Sequence, residues 1–214
     1  VPDHRKHRGP HPEDERLFRT SMWPPLQTGT AHFSWLLTRG YSAPSALKLV
    51  GDRFQLVSRQ RVAVQRSACS DQSLSVRAAT RVPLAALTGC ELSIDGCNLL
   101  MTVESARAGG IVIRGRDGCL RDMASVHGSY RKVLETQPAL ELIGRFLQPY
   151  SPAVCTWWLD RPVSNSGRLS SLILELAALY DWPWATELVA DPDPILKASA
   201  GVGAPADSVI LDSC

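Results

Sequence analysis

Beyond residue 90 the sequence alternates short apolar runs with longer amphipathic stretches, and this alternation constrains the fold more than any other feature. Residues 92–95, 111–114, 153–159 and 185–190 read as strands, and residues 208–211 as a strand closing the sheet. Between them, residues 98–108, 121–137, 138–147 and 168–180 read as helices, with a further helical turn over 194–199. Gly109-Gly110 and Arg116-Asp-Gly118 punctuate the pattern. Strands joined through helices must run parallel and cross over with a right hand. The expected class is therefore α/β, with a mostly parallel sheet flanked by helices.

The first 88 residues follow a different grammar and read as a small, mainly helical domain, leaving 89–214 as the α/β domain. A His-, Arg- and Pro-rich arm leads into a short helix over 13–18, which Trp23-Pro-Pro is expected to stop. Residues 28–38, 43–50 and 58–69 read as helices, and 77–88 as the linker. Charge divides at the same place. Residues 1–90 carry 13 Lys/Arg against 6 Asp/Glu (+7), and residues 91–214 carry 10 against 15 (−5). A basic block beside an acidic block suits a grip on nucleic acid next to a carboxylate metal site. It equally suits two parts of unlike sign that attract one another.

Several classes are disfavoured. No apolar run approaches the roughly 20 residues that span a bilayer, and no apolar stretch follows the charged start. A cytoplasmic protein without membrane association is the default. The six cysteines include no CxxC pair, so they read as buried apolar filler rather than zinc ligands or disulfides. The absence of GxGxxG, GxxxxGK[ST] and GxSxG argues against dinucleotide, P-loop and serine-hydrolase chemistry.

Ligands of parallel sheets gather at the carboxyl ends of the strands. Asp95 and Asp160 end expected strands there, and Asp207 precedes the run Val209-Ile-Leu. Asp122 and Glu104 follow in the next loop and helix as candidate ligands or general bases. Close carboxylates raise one another's pKa, a cost that a hard cation such as Mg²⁺ or Mn²⁺ removes. Each residue also has a plainer role open to it. Asp95 can cap the helix that follows, and Asn165 and Ser166 can cap theirs or meet a phosphate at its N-terminus. Asp117-Gly118 suits a turn. His127 suits a structural role, and Trp157, Trp158, Trp182 and Trp184 suit either core packing or stacking on bases.

The stretch Ile94-Asp-Gly-Cys-Asn-Leu-Leu-Met-Thr-Val-Glu-Ser105 resembles the opening strand and helix of PIN-like (NYN-type) nuclease domains, which begin with Asp-Gly-x-Asn. Arg8-Gly-Pro-His-Pro-Glu-Asp14, Leu36-Leu-Thr-Arg-Gly-Tyr41, Lys48-Leu-Val-Gly-Asp-Arg53, Arg59-Gln-Arg61, Arg121-Asp122, His127-Gly-Ser-Tyr130 and Asp160-Arg-Pro-Val-Ser-Asn-Ser-Gly167 extend a likeness over nearly the whole chain. They resemble an uncharacterised bacterial and archaeal family with a basic helical N-terminal domain and a PIN-like C-terminal domain.

The resemblance implies a nuclease that hydrolyses DNA or RNA, with Asp95, Asp160 and Asp207 holding Mg²⁺ or Mn²⁺. Asp122 and Glu104 would assist, and Asn98, Asn165 and Ser166 would orient ligands or substrate. Arg59, Arg61, Arg66 and the arm Arg5-Lys6-His-Arg8 would hold the backbone. PIN-like domains commonly place a small or hydroxyl residue before the last acid, as in Thr-x-Asp, whereas this chain has Ala204-Pro-Ala-Asp207. The competing readings are a non-catalytic module that holds nucleic acid or a protein, and a phosphohydrolase of small molecules. A homo-oligomer is compatible with any of them.

Overall fold

The computed structural model describes residues 7–124, 130–199, 201–205 and 207–213. Helices come first: α1 (Asp14–Leu17), α2 (Trp23–Thr38), α3 (Ala43–Arg53), α4 (Ser58–Ser67) and α5 (Asp71–Thr80). Trp23-Pro-Pro starts α2 instead of stopping a helix. In the first turn the amide that proline lacks would have had no intrahelical partner, and its fixed φ suits the helix. The expected linker is corrected as well, because α5 runs through Arg77. Its start is signalled by Ser70, whose side chain accepts from the Ser73 amide at 3.0 Å. Phe33, Leu36, Ala46, Val50, Leu56, Val64 and Ala68 form the buried core of this region.

The second region builds the parallel sheet from β1 (Glu91–Asp95), β4 (Val154–Asp160), β5 (Trp184–Val189) and β6 (Val202–Ala204), in the order β5-β4-β1-β6. Between β1 and β4 lie α6 (Gly96–Arg107), an antiparallel hairpin of β2 (Val112–Arg114) and β3 (Leu120–Asp122), and α7 (Thr136–Leu147). The run at 111–114 therefore belongs to the hairpin and not to the main sheet. Gly118, at φ +79°, supplies the tight turn between its strands. The helix expected over 121–137 is not formed as such, since 120–122 is strand and, among the described residues of that stretch, helix begins at Thr136. His127 lies outside the described residues, as do Arg5 and Lys6.

After β4 come α8 (Ser166–Tyr180) before β5, then α9 (Asp193–Ala198), β6 and α10 (Ser208–Leu211). Residues 208–211 are thus helical, and Val202–Ala204 is the strand that extends the sheet beside β1. Four apolar-rich residues do not by periodicity distinguish strand from helix.

One face of the sheet carries the core. Leu92, Ile94, Cys155, Trp157 and Leu159 alternate inward and are buried with Leu100, Leu140, Ile143 and Ile173 from α6, α7 and α8. Burial of each large apolar side chain is worth about 1.5–3 kcal/mol. Trp184 packs in this core against Trp157 and Trp182 with tilted rings at 5.0 and 4.6 Å, which fixes the packing role for those three. Among the described residues no helix is long and apolar enough to cross a membrane.

The two regions meet through buried ion pairs. The Arg8 Nε donates to Glu104 at 2.9 Å, with the two side chains 2 % and 0 % exposed. Arg77 bridges Asp117 at 2.5 Å and Asp212 at 2.7 Å, and Arg121 approaches the same Asp117 at 2.6 Å. At the surface of the same junction, Arg116 reaches back to the exposed Asp71 at 2.5 Å. Part of the opposed charge read in the sequence is therefore consumed inside the molecule.

Candidate functional site

The acids of interest meet where the strand order reverses. The chain proceeds from β1 outward to β4 and β5, then returns to place β6 on the other side of β1. Crevices at the carboxyl ends of such switch points are the usual ligand sites of open parallel sheets. Asp95 ends β1 and Asp160 ends β4, and the two strands pair in parallel with Asp95 opposite Trp158. Both aspartates thus lie at one edge and on one face of the sheet. Asp191 and Asp193 follow β5 and open α9, while Asp207 follows β6 and caps α10, accepting from the Val209 amide at 2.7 Å.

These carboxylates feel one another. Burial, with the charges of Asp160 and Asp193 adding to it, pushes Asp95 up to about 6, against hydrogen bonds from Asn98. Burial also raises Asp160, with Asp191 contributing, and raises Asp193, with Asp207, Asp191 and Asp160 contributing. The Cys97 thiol hydrogen-bonds Asp160, and burial beside both acids pushes that thiol up to about 12.

Local sequence explains the placement of Asp95. It is the N-cap of α6, accepting from the Asn98 amide at 3.4 Å and the Asn98 Nδ2 at 2.8 Å. Gly96 lets the helix start against β4, because a Cβ there would sit 2.9 Å from the Trp158 carbonyl oxygen. Among the described residues no three of His, Cys, Asp and Glu close into a ready metal cage.

A family described as "Domain of unknown function (DUF5616)" matches residues 84–214. The chain belongs to this family. A second, described as "Protein of unknown function (DUF434)", matches residues 26–79 of this DUF5616 chain. An uncharacterised protein of Methanocaldococcus jannaschii is 29 % identical over 188 residues, covering 88 % of this chain and 89 % of its own length. No solved structure matches.

The remaining expected site residues lie elsewhere or are engaged. Glu104 is fully buried and accepts from Arg8, from the Tyr130 hydroxyl at 2.6 Å and from the Thr136 hydroxyl at 2.6 Å. Asp122 accepts from the Thr102 hydroxyl at 2.9 Å and the Ala124 amide at 2.6 Å, and Arg66 caps its carbonyl. Both are committed to holding α6, the hairpin and the helical region together.

Arg59 grips Asp14 through two bonds and reaches the Met123 carbonyl, while Arg61 binds Asp52 at 2.8 Å. These arginines spend their donors within the chain. Asn165, left-handed at φ 70°, donates to the Tyr130 carbonyl at 3.0 Å, and Ser166 is buried in the turn from Val163. Asp191 and Asp193 were not singled out by sequence reasoning. Their signal was available in Asp191-Pro-Asp-Pro, a pair of acids directly after a strand.

The raised Asp95 makes a prediction about stability. An unfolded aspartate titrates near 4, so between about pH 4 and 6 the folded state holds a proton that the unfolded state has lost. Stability therefore falls as pH rises through this window. Asp95→Asn removes that cost and keeps a good N-cap. Without added metal, thermal melts at pH 7.5 should show a gain of about 1–3 kcal/mol that vanishes toward pH 4. A loss of stability at pH 7.5 would show that the cap outweighs the repulsion.

Proposed function

We propose that this chain is a metal-dependent nuclease, hydrolysing phosphodiester bonds of DNA or RNA at the acid row beside β1. The observation that carries this reading is the convergence of Asp95, Asp160, Asp193 and Asp207 from separate stretches onto one sheet edge, where Asp160 and Asp193 add to the raising of Asp95, and Asp160 and Asp207 to that of Asp193. A divalent cation relieves that repulsion. The likeness of Ile94–Ser105 to the opening of PIN-like nuclease domains supports the same reading.

The donors are all carboxylate oxygens, which fits a hard ion. Mg²⁺ commonly takes one or two carboxylates and keeps several waters, so a pair of carboxylates is enough to hold it. Asp95 and Asp160 would hold Mg²⁺ or Mn²⁺ directly, and Asp207 would act through one of the waters the ion keeps rather than as a third direct ligand. When bound, the ion supplies a water of lowered pKa and offsets charge on the phosphate.

The chain's own residues supply the rest. Asn98 fixes the rotamer of Asp95, and the Cys97 thiol lies beside Asp160 and favours its ionised form. Asp193, half-buried with a raised pKa, is placed to accept a proton. Arg161, which follows Asp160 in the chain, and Arg168, in the first turn of α8, are exposed and free of carboxylate partners among the described residues, so they would meet phosphates. A reducing, cytoplasmic setting suits this reading, because Cys69, Cys97 and Cys155 are free and buried.

The test is cleavage of single- and double-stranded DNA and RNA with Mn²⁺, Mg²⁺ or EDTA. Metal-dependent products support the reading, and their absence on all four substrates sinks it. In the same preparation, Arg161→Ala with Arg168→Ala should flatten the salt dependence of duplex binding, by about 0.9 in logarithmic slope for each phosphate no longer neutralised. An unchanged slope would place the phosphate grip elsewhere. One observation favours a second, non-catalytic reading as a binding module: Asp95 and Asp207 already spend oxygens on helix caps. Metal-independent binding without cleavage would decide for it.

A further inference from the structure

We propose that the groove between α2 and α3 is a docking site for an acidic amphipathic helix of a partner protein. The groove has a volume of about 480 Å³. Leu36 and Val50 form its floor, and Trp35 and Leu49 its walls, 53 % and 60 % exposed. Two large apolar side chains standing in water around an apolar floor carry a cost that an apolar partner removes.

The rim sets the charge of that partner. His32 and Arg53 line the groove, and the Arg39 guanidinium lies 3.6 Å over the Trp35 ring. No Asp or Glu occurs in α2, and the one acid of α3, Asp52, is held by Lys48 and Arg61. Among the described residues no carboxylate pairs with Arg39 or Arg53. An incoming helix with Glu or Asp beside its apolar stripe would supply those missing partners.

The same details argue against nucleic acid as the occupant. The walls and floor are mainly aliphatic, and one face of the single aromatic is already covered by Arg39. A base would find a single half-covered indole and no second large aromatic among the groove residues to continue a stack.

The test uses the full chain and two labelled helical peptides of about 16 residues, with leucines at i, i+4 and i+7. One peptide carries Glu at its polar positions, the other Lys. Fluorescence anisotropy should give at least ten-fold tighter binding of the Glu peptide, weakening as salt rises. Leu49→Asp, at an exposed position, should cut that binding ten-fold or more with an unchanged melting temperature. Arg39→Glu with Arg53→Glu should reverse the preference toward the Lys peptide. Equal binding of both peptides, or insensitivity to Leu49→Asp, would overturn the proposal. So would a concentration-dependent dimer abolished by Leu49→Asp, which assigns the face to a second copy. Displacement of the Glu peptide by oligo-dT, with oligo-dT itself bound by wild type and not by Leu49→Asp, would assign the face to nucleic acid instead.

Discussion

Asp160→Asn is expected to lower metal-dependent cleavage by on the order of 10²–10³-fold, the loss typical when one charge-stabilising group is removed from a reaction centre. The amide keeps the shape of the side chain and can still accept from the Cys97 thiol. It withdraws the anionic oxygen that a hard cation requires. The fold should be spared, because the backbone bonds of the turn, Val163 amide to Asp160 carbonyl and Arg161 amide to Val189 carbonyl, do not involve the side chain. Melting temperature and nucleic-acid affinity measured beside the rate separate a chemical role from a structural one. Wild-type rates in Asp160→Asn would remove the acid row from the reaction. A parallel loss of rate and melting temperature would instead make Asp160 a structural residue.

The second large effect belongs to the junction. Asp117→Ala is expected to destabilise the protein by about 3–5 kcal/mol, because it takes the carboxylate from between two buried guanidinium groups. For a chain of this size that corresponds to a fall in melting temperature of roughly 6–20 °C. Asp117 also accepts from the Cys119 amide at 3.1 Å, so the hairpin turn loses an anchor as well.

The pH dependence has a definite sign. Against the cost of burial, Arg121 and Arg77 hold Asp117 down to about 2. The stability it contributes is present above about pH 4 and drains away as pH falls toward 2. Moderate salt should change little, since buried pairs are poorly screened. A melting temperature unchanged by Asp117→Ala at neutral pH would show that the arginines settle on other acceptors without cost.

How much of this was legible in sequence depended on how local each signal was. The strands ending in Asp95 and Asp160 could be read because apolar alternation and a following cap lie within a few residues. Asp95 and Asp160 then fell together once the strands were taken as parallel neighbours. Trp23-Pro-Pro was misread because proline stops a helix from within but suits its first turn. The closing run at 208–211 was too short for its period to show.

What sequence could not reveal was partnership at a distance. Arg8 and Glu104 are 96 positions apart, and Arg77 and Asp212 are 135 apart. Arginines that look like a free basic surface in a charge count can be committed to partners within the chain. Arg59 and Arg66 are such cases, tied to Asp14 and to the Asp122 segment.

The buried ion pairs across the junction bear on how the protein can be taken apart. An apolar seam, once opened, leaves two greasy faces that a detergent or a solubilising substitution can mask. A seam of buried charges leaves sockets instead. Glu104, with no exposure at all, would face an empty place where Arg8 had been, and Asp212 would lose the guanidinium that reaches across to it. The halves are therefore better regarded as a matched set than as modules for recombination. Exchanging one half between relatives would succeed only where the opposing charges travel with it.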